Sequence, residues 1–257
     1  MFLPKNLQNA LESVLMINKQ SGSALFYILI AVTLLAALSY AVTQNSRSRG
    51  ALVTAEQARL NASEIIEYGN TISNAVSQLR LRGYDVGEIS FENNFVSGYE
   101  NPNCTEDECK VFHVNGGGIN FMRPDTKWLD GAYDLAGEYG AYYFHGQSSA
   151  LGFGLDEDDL IMFLPYVDRG VCVAINDLLG ITPVTDAIPI EVDGPFNTNA
   201  KFIGTYGTIF DRQVSGSATT GEPEILNGQS AGCTESSGGG STPAAETYHY
   251  YQVLIAR

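Results

Sequence analysis

Residues 24–42 read ALFYILIAVTLLAALSYAV, nineteen positions without a charge, inside an uncharged stretch that extends over 20–46. A helix rises about 1.5 Å per residue, so such a run matches roughly the 30 Å of a bilayer's hydrocarbon. Apart from Thr33 and Ser39 it has no polar side to turn toward water, as a surface helix would. A buried core helix is the competing reading. The length of the run favours a membrane-spanning helix over 23–46. The mostly polar segment 1–22 is long for a general secretory signal. Ser39-Tyr40-Ala41 nevertheless offers small residues at signal-peptidase spacing, which leaves release as a secreted protein open.

Before Arg47 the only charged side chains are Lys5, Glu12 and Lys19, so the acidic excess behind the formal net charge of −15 belongs to residues 47–257. Such a field repels phosphate backbones and anionic lipid, which argues against nucleic acid as a partner. Loop charge does not orient the span, because Lys5 and Lys19 on one side are matched by Arg47, Arg49 and Arg59 on the other. Cysteine usage and a composition rich in Gly, Ser, Thr, Asn and Tyr favour export of the C-terminal part. The expected location is a membrane, with the C-terminal domain on the side away from the cytoplasm.

After residues 46–50 (SRSRG), small or apolar residues recur at Ala51, Ala55, Ala58, Ala62, Ile65, Gly69, Ile72, Val76 and Leu79, in alternating steps of four and three. That stripe predicts an amphipathic helix over 47–82 which packs on its own domain or, through its Ala-rich half, on neighbouring subunits. Beyond Gly83 the pattern alternates. Strands are predicted over 86–96, 110–114, 119–122, 139–145, 160–167, 201–206 and 247–255, with a hairpin turn at Asn115-Gly116-Gly117-Gly118 and Pro165 ending its own strand. Asp168 should cap a short helix over 169–179 that Gly180 stops. The Gly- and Ser-rich stretch 213–246 reads as a mobile surface loop. The expected fold is α+β: a long N-terminal helix, membrane-spanning in its first half and amphipathic in its second, on a disulfide-bonded antiparallel sheet in a domain over 83–257.

Four cysteines permit three pairings. Cys104 and Cys109 bracket a polar turn and suit a local bridge, while a bond between Cys172 and Cys233 would tether the loop to the core. The spacing fits no zinc site. His113, His145 and His249 each fall in a predicted strand beside aromatics and read as packing or surface residues, so no enzyme and no cofactor is expected. Gly116-Gly117-Gly118 lacks the Lys and following helix of a phosphate loop. Asp156, Glu157, Asp158 and Asp159 could hold calcium through oxygen ligands, although solvated loop charge explains them as well. Trp128 and the aromatics of 139–144 could line a sugar or peptide groove, or simply pack the sheet.

A leader ending Lys19-Gln20-Ser21-Gly22, an immediate uncharged helix and an amphipathic continuation backing a disulfide-bonded sheet together resemble the type IV pilins and type II secretion pseudopilins. The stretch LIMFLPYVDRGVCVAINDLLGI (160–181) is similar to a group of bacterial pilin-like proteins. The resemblance implies processing between Gly22 and Ser23, storage in a bacterial inner membrane with the domain in the periplasm or outside the cell, and assembly of the apolar helices with other copies or pilin-like subunits into a cell-surface filament or pseudopilus. Where that family carries a bulky apolar residue and a glutamate, this chain has Ser23 and Tyr27. A different reading is an envelope protein, anchored or secreted, that displays an adhesive or ligand-binding domain.

Overall fold

The computed structural model describes residues 21–155, 157–181, 188–191, 196–207, 213–216, 224–238 and 244–257; within the first helix it describes side chains at 25–37 and from residue 54 on. The chain divides into two compact units, Met1–Thr54 and Ala55–Arg257, and each is described by itself. Residues 1–20 of the expected leader 1–22, and the side chains of Ser23 and Ala51, lie outside the described residues.

Helix α1 is Ser21–Leu81. Among the described residues no helix is long and apolar enough to cross a membrane. This overturns the expected membrane-spanning helix over 23–46, and with it the placement in an inner membrane.

In the second unit the stripe is the buried side of α1. Ala62, Ile65, Gly69, Ile72, Val76 and Leu79 are buried, Ala58 is half-buried and Ala55 is exposed. Gly69 leaves room for the Tyr250 hydroxyl and the Gln252 amide, which a Cβ would strike. Gln252 in turn donates to Asn70 at 3.0 Å and accepts from Tyr250 at 2.5 Å. Tight approach of helix to sheet is what this position needs, and glycine supplies it.

The expectation of a purely antiparallel sheet is also corrected, because the sheet is mixed. Strands β1 (Tyr143–Ala150), β2 (Asp159–Val167), β3 (Ile190–Glu191), β4 (Gln213–Val214), β5 (Ala231–Ser236) and β6 (Tyr248–Ile255) lie in the order β3-β5-β6-β2-β1-β4. The four inner strands pair antiparallel, while the short outer strands β3 and β4 run parallel to β5 and β1. Parallel neighbours need a crossover rather than a tight turn, and long connections precede both outer strands.

Strand β2 is buried at every position, as a strand covered on both faces must be. Leu160, Met162 and Leu164 face the core shared with α1, whereas Ile161 and Phe163 face a second core with Phe196, Leu226 and Tyr251. Pro165 does not end the strand. A bulge between Leu164 and Val167 absorbs its missing N–H, and Tyr166 turns into the left-handed region at φ 59°.

Helix α2, Arg169–Leu179, has the predicted bounds. The Asp168 carboxylate accepts from the N–H groups of Gly170 and Val171, and Gly180 closes the helix at φ 71°. On its buried side Asn176 donates to the Cys233 carbonyl at 2.9 Å and accepts from the Cys233 N–H at 2.8 Å. Disulfides join Cys104 to Cys109 and Cys172 to Cys233, the second linking α2 to β5.

Several predicted strands are absent. Residues 86–96 begin with a 3-10 turn at Val86–Glu88 and form one isolated bridge, Ser90 to Lys110, in place of a strand. The segment 110–114 folds into turns in which Gly117 donates to the Lys110 carbonyl and Gly118 to that of His113, and 119–122 form no strand. Residues 201–206 form no strand. The first predicted strand of the sheet, 139–145, is displaced to Tyr143–Ala150. Residues 213–246, expected as one mobile loop, contain β4 and β5, so Cys233 sits in a buried strand.

Candidate functional site

Every described side chain over 25–37 is exposed, including Leu25, Phe26, Tyr27, Ile28, Leu29, Ile30, Val32, Leu34 and Leu35, the last at 68%. The Thr33 hydroxyl turns back to the Ile30 carbonyl at 2.9 Å, so even the hydroxyl at this position bonds within its own helix. An apolar helix exposed all round is incomplete by itself, because such surface is stable only when covered.

The second unit has a cleft of about 530 Å³ between α1 and the segment 122–128, lined by Glu64, Glu67, Tyr68, Met122, Arg123 and Trp128, among others. Trp128 is held by the 3-10 turn Thr126–Trp128, which Asp125 caps, and its indole N–H donates to Glu64 at 3.0 Å. Lys127 bridges Glu64 and Asp125 at 3.3 Å each. The Tyr68 hydroxyl accepts from the Met122 N–H at 2.8 Å, and burial pushes its pKa up to about 12. Trp128 therefore does line a recess. The 139–144 aromatics do not join it: Tyr142, Tyr143 and Phe144 are buried, Tyr142 against Tyr68 at 4.9 Å. The carboxylates and the arginine of the cleft were not singled out from sequence, where Glu64 and Glu67 are only off-stripe positions and Arg123 is isolated.

His249 and Thr247 have the spacing of a base and a nucleophile, with Nε2 2.8 Å from Oγ1, but both are sealed in the core. The Thr247 hydroxyl donates to the Ala244 carbonyl, so Nε2–H donates to Thr247, and Nδ1 accepts the Tyr166 N–H at 3.3 Å. Burial lowers the His249 pKa to about 3. This imidazole is a neutral brace for the bulge in β2. His145 is buried among Phe163 and Phe196, and His113 lies 3.5 Å from Asp107 at the surface.

Within the acidic run, Asp159 and Glu157 are engaged inside the fold. Asp159 is fully buried, and its carboxylate accepts from the N–H groups of Ala150 and Arg257 at 2.8 and 2.9 Å. Burial nonetheless raises its pKa to about 6. Asp158 is buried and its carboxyl is likewise raised by desolvation, while Glu157 pairs with Arg257 at 2.8 Å. Asp156 lies outside the described residues. Among the described residues no three His, Cys, Asp or Glu side chains are grouped to hold a metal. Gly116, Gly117 and Gly118 serve the turn after Val111. No protein-family model matches the chain, and no curated protein and no solved structure matches it either.

Proposed function

We propose that this chain is a pilin-like structural subunit of a filament or secretion pseudopilus, assembled with other copies or related subunits through the apolar part of α1. The observation that carries the reading is the unbroken exposure of apolar side chains at 25–37. Fully burying a Leu, Ile, Val or Phe contributes about 1.5–3 kcal/mol, so helix-on-helix packing over this stretch supplies on the order of 10 kcal/mol per subunit. Two disulfides suit an oxidising compartment. The acidic field of the head favours solubility over nucleic-acid binding.

The test is assembly of the full-length chain after detergent is removed, followed by sedimentation and negative-stain microscopy. The wild type should pellet as elongated particles of uniform width. A Leu29→Glu, Val32→Glu double variant places two charges on one side of the helix and should stay dispersed with both disulfides formed. A wild type that stays monomeric or gives only amorphous aggregate, or a double variant that assembles equally well, overturns the reading.

A further inference from the structure

We propose that the cleft between α1 and the segment 122–128 binds a small zwitterionic ligand, a free amino acid or short peptide, with Arg123 taking its carboxylate and Glu67 its ammonium group. Most charge on the walls is already committed: Lys127 holds Glu64 and Asp125, and Glu64 also accepts the Trp128 N–H. Among the described residues neither Glu67 nor Arg123 makes an ion pair, and both line the cleft. One stands on α1 and the other on the opposite wall, so the recess presents one unspent charge of each sign.

Tyr68 adds a neutral donor. It is 7% exposed, its oxygen accepts from Met122, and its own proton has no acceptor among the described residues. A simple anion in the cleft would face Glu64, Glu67 and Asp125, and a simple cation would face Arg123. A ligand with both charges satisfies both walls, while Met122 and Trp128 supply the apolar contact for its body. The volume of about 530 Å³ lies within the range of small-molecule sites.

The probes are trialanine, its N-acetyl form and its C-terminal amide, titrated calorimetrically against the full-length chain in non-ionic detergent. Trialanine should bind saturably, and each capped form should bind about tenfold more weakly, because each has lost one charge-assisted contact. Arg123→Gln should weaken trialanine about tenfold and erase the preference for the free acid over the amide. Glu67→Gln should erase the preference for the free amine over the acetylated form. No saturable binding of any probe, or end preferences that survive in both variants, overturns the assignment. The capped probes test it on the wild type alone, and neither result bears on assembly through α1.

Discussion

Lowering the pH from 7 to 5 should weaken the second unit through His249. In the unfolded chain this imidazole titrates at its ordinary value of 6.5, and in the folded core at about 3. Between those values the unfolded state binds the extra proton, so stability falls as pH falls, by about 1.4 kcal/mol per unit. The cost by pH 5 is about 2 kcal/mol, and the full interval corresponds to roughly 5 kcal/mol. Burial is the cause, and the geometry agrees with it, since a proton on Nδ1 would point at the Tyr166 N–H that now donates to it. Asp159 works in the opposite direction: its folded value of about 6 stands above the ordinary 3.8, so its contribution grows as pH falls through that window. The comparison with a His249→Gln variant removes that term, because both proteins keep Asp159. The assay is urea unfolding at pH 7, 6 and 5 in detergent, followed by the fluorescence of Trp128, the single tryptophan. The variant should be less stable at pH 7, yet the gap should shrink by about 2 kcal/mol by pH 5. Parallel pH profiles for the two proteins would refute the assignment.

Asp168→Ala should cost about 1 kcal/mol by removing the cap of α2, read as a lower urea midpoint at unchanged slope. Gly69→Ala should destabilise by about 1–2 kcal/mol despite alanine's better helix propensity, because the methyl displaces the Gln252 and Tyr250 side chains from their hydrogen bonds; a gain in melting temperature would contradict that packing. Replacing Cys172 and Cys233 together by alanine opens a loop with a sequence separation of 61 and should cost about 4 kcal/mol in the chain-entropy account, measured by urea unfolding under oxidising conditions. Opening the Cys104–Cys109 ring in the same way should cost about half as much.

Local signals with a direct stereochemical cause were legible in the sequence. Asp168, the apolar run after it and Gly180 specify α2 to the residue, and the four-three spacing from Ala62 to Leu79 marks the buried side of α1. Hydrophobic content located β2 and β6. What failed depended on partners far away in sequence. Ala231-Gly232-Cys233-Thr234 has too little bulk to show a period, and it is small because Gly232 lies against Tyr251, Ile181 and Leu226. Asn115 through Gly118 looked like a hairpin, but Gly116 and Gly117 are pressed on the carbonyls of Lys110 and Val111, which folds the chain into turns instead of a ladder. Asp158 and Asp159 read as wet loop charge because nothing nearby announces that Arg257 returns to them. The cleft was illegible for the same reason, since Glu67 and Arg123 are separated by a long stretch of chain and meet only through the packing of α1.

The last long strand on each side of a sheet can offer a row of amides to any passing chain, and here much of that row is taken along β5 and β1. Asn176 stands in for a neighbouring strand at Cys233, presenting one carboxamide to both backbone groups of that residue, while β3 pairs with Glu235 and Ser236. On the far flank, Phe202 and Gly207 bond the carbonyls of Phe144 and Gly146 before β4 takes over. Growth by strand donation therefore has little purchase on β5 and β1, which suits the assembly through α1 proposed above.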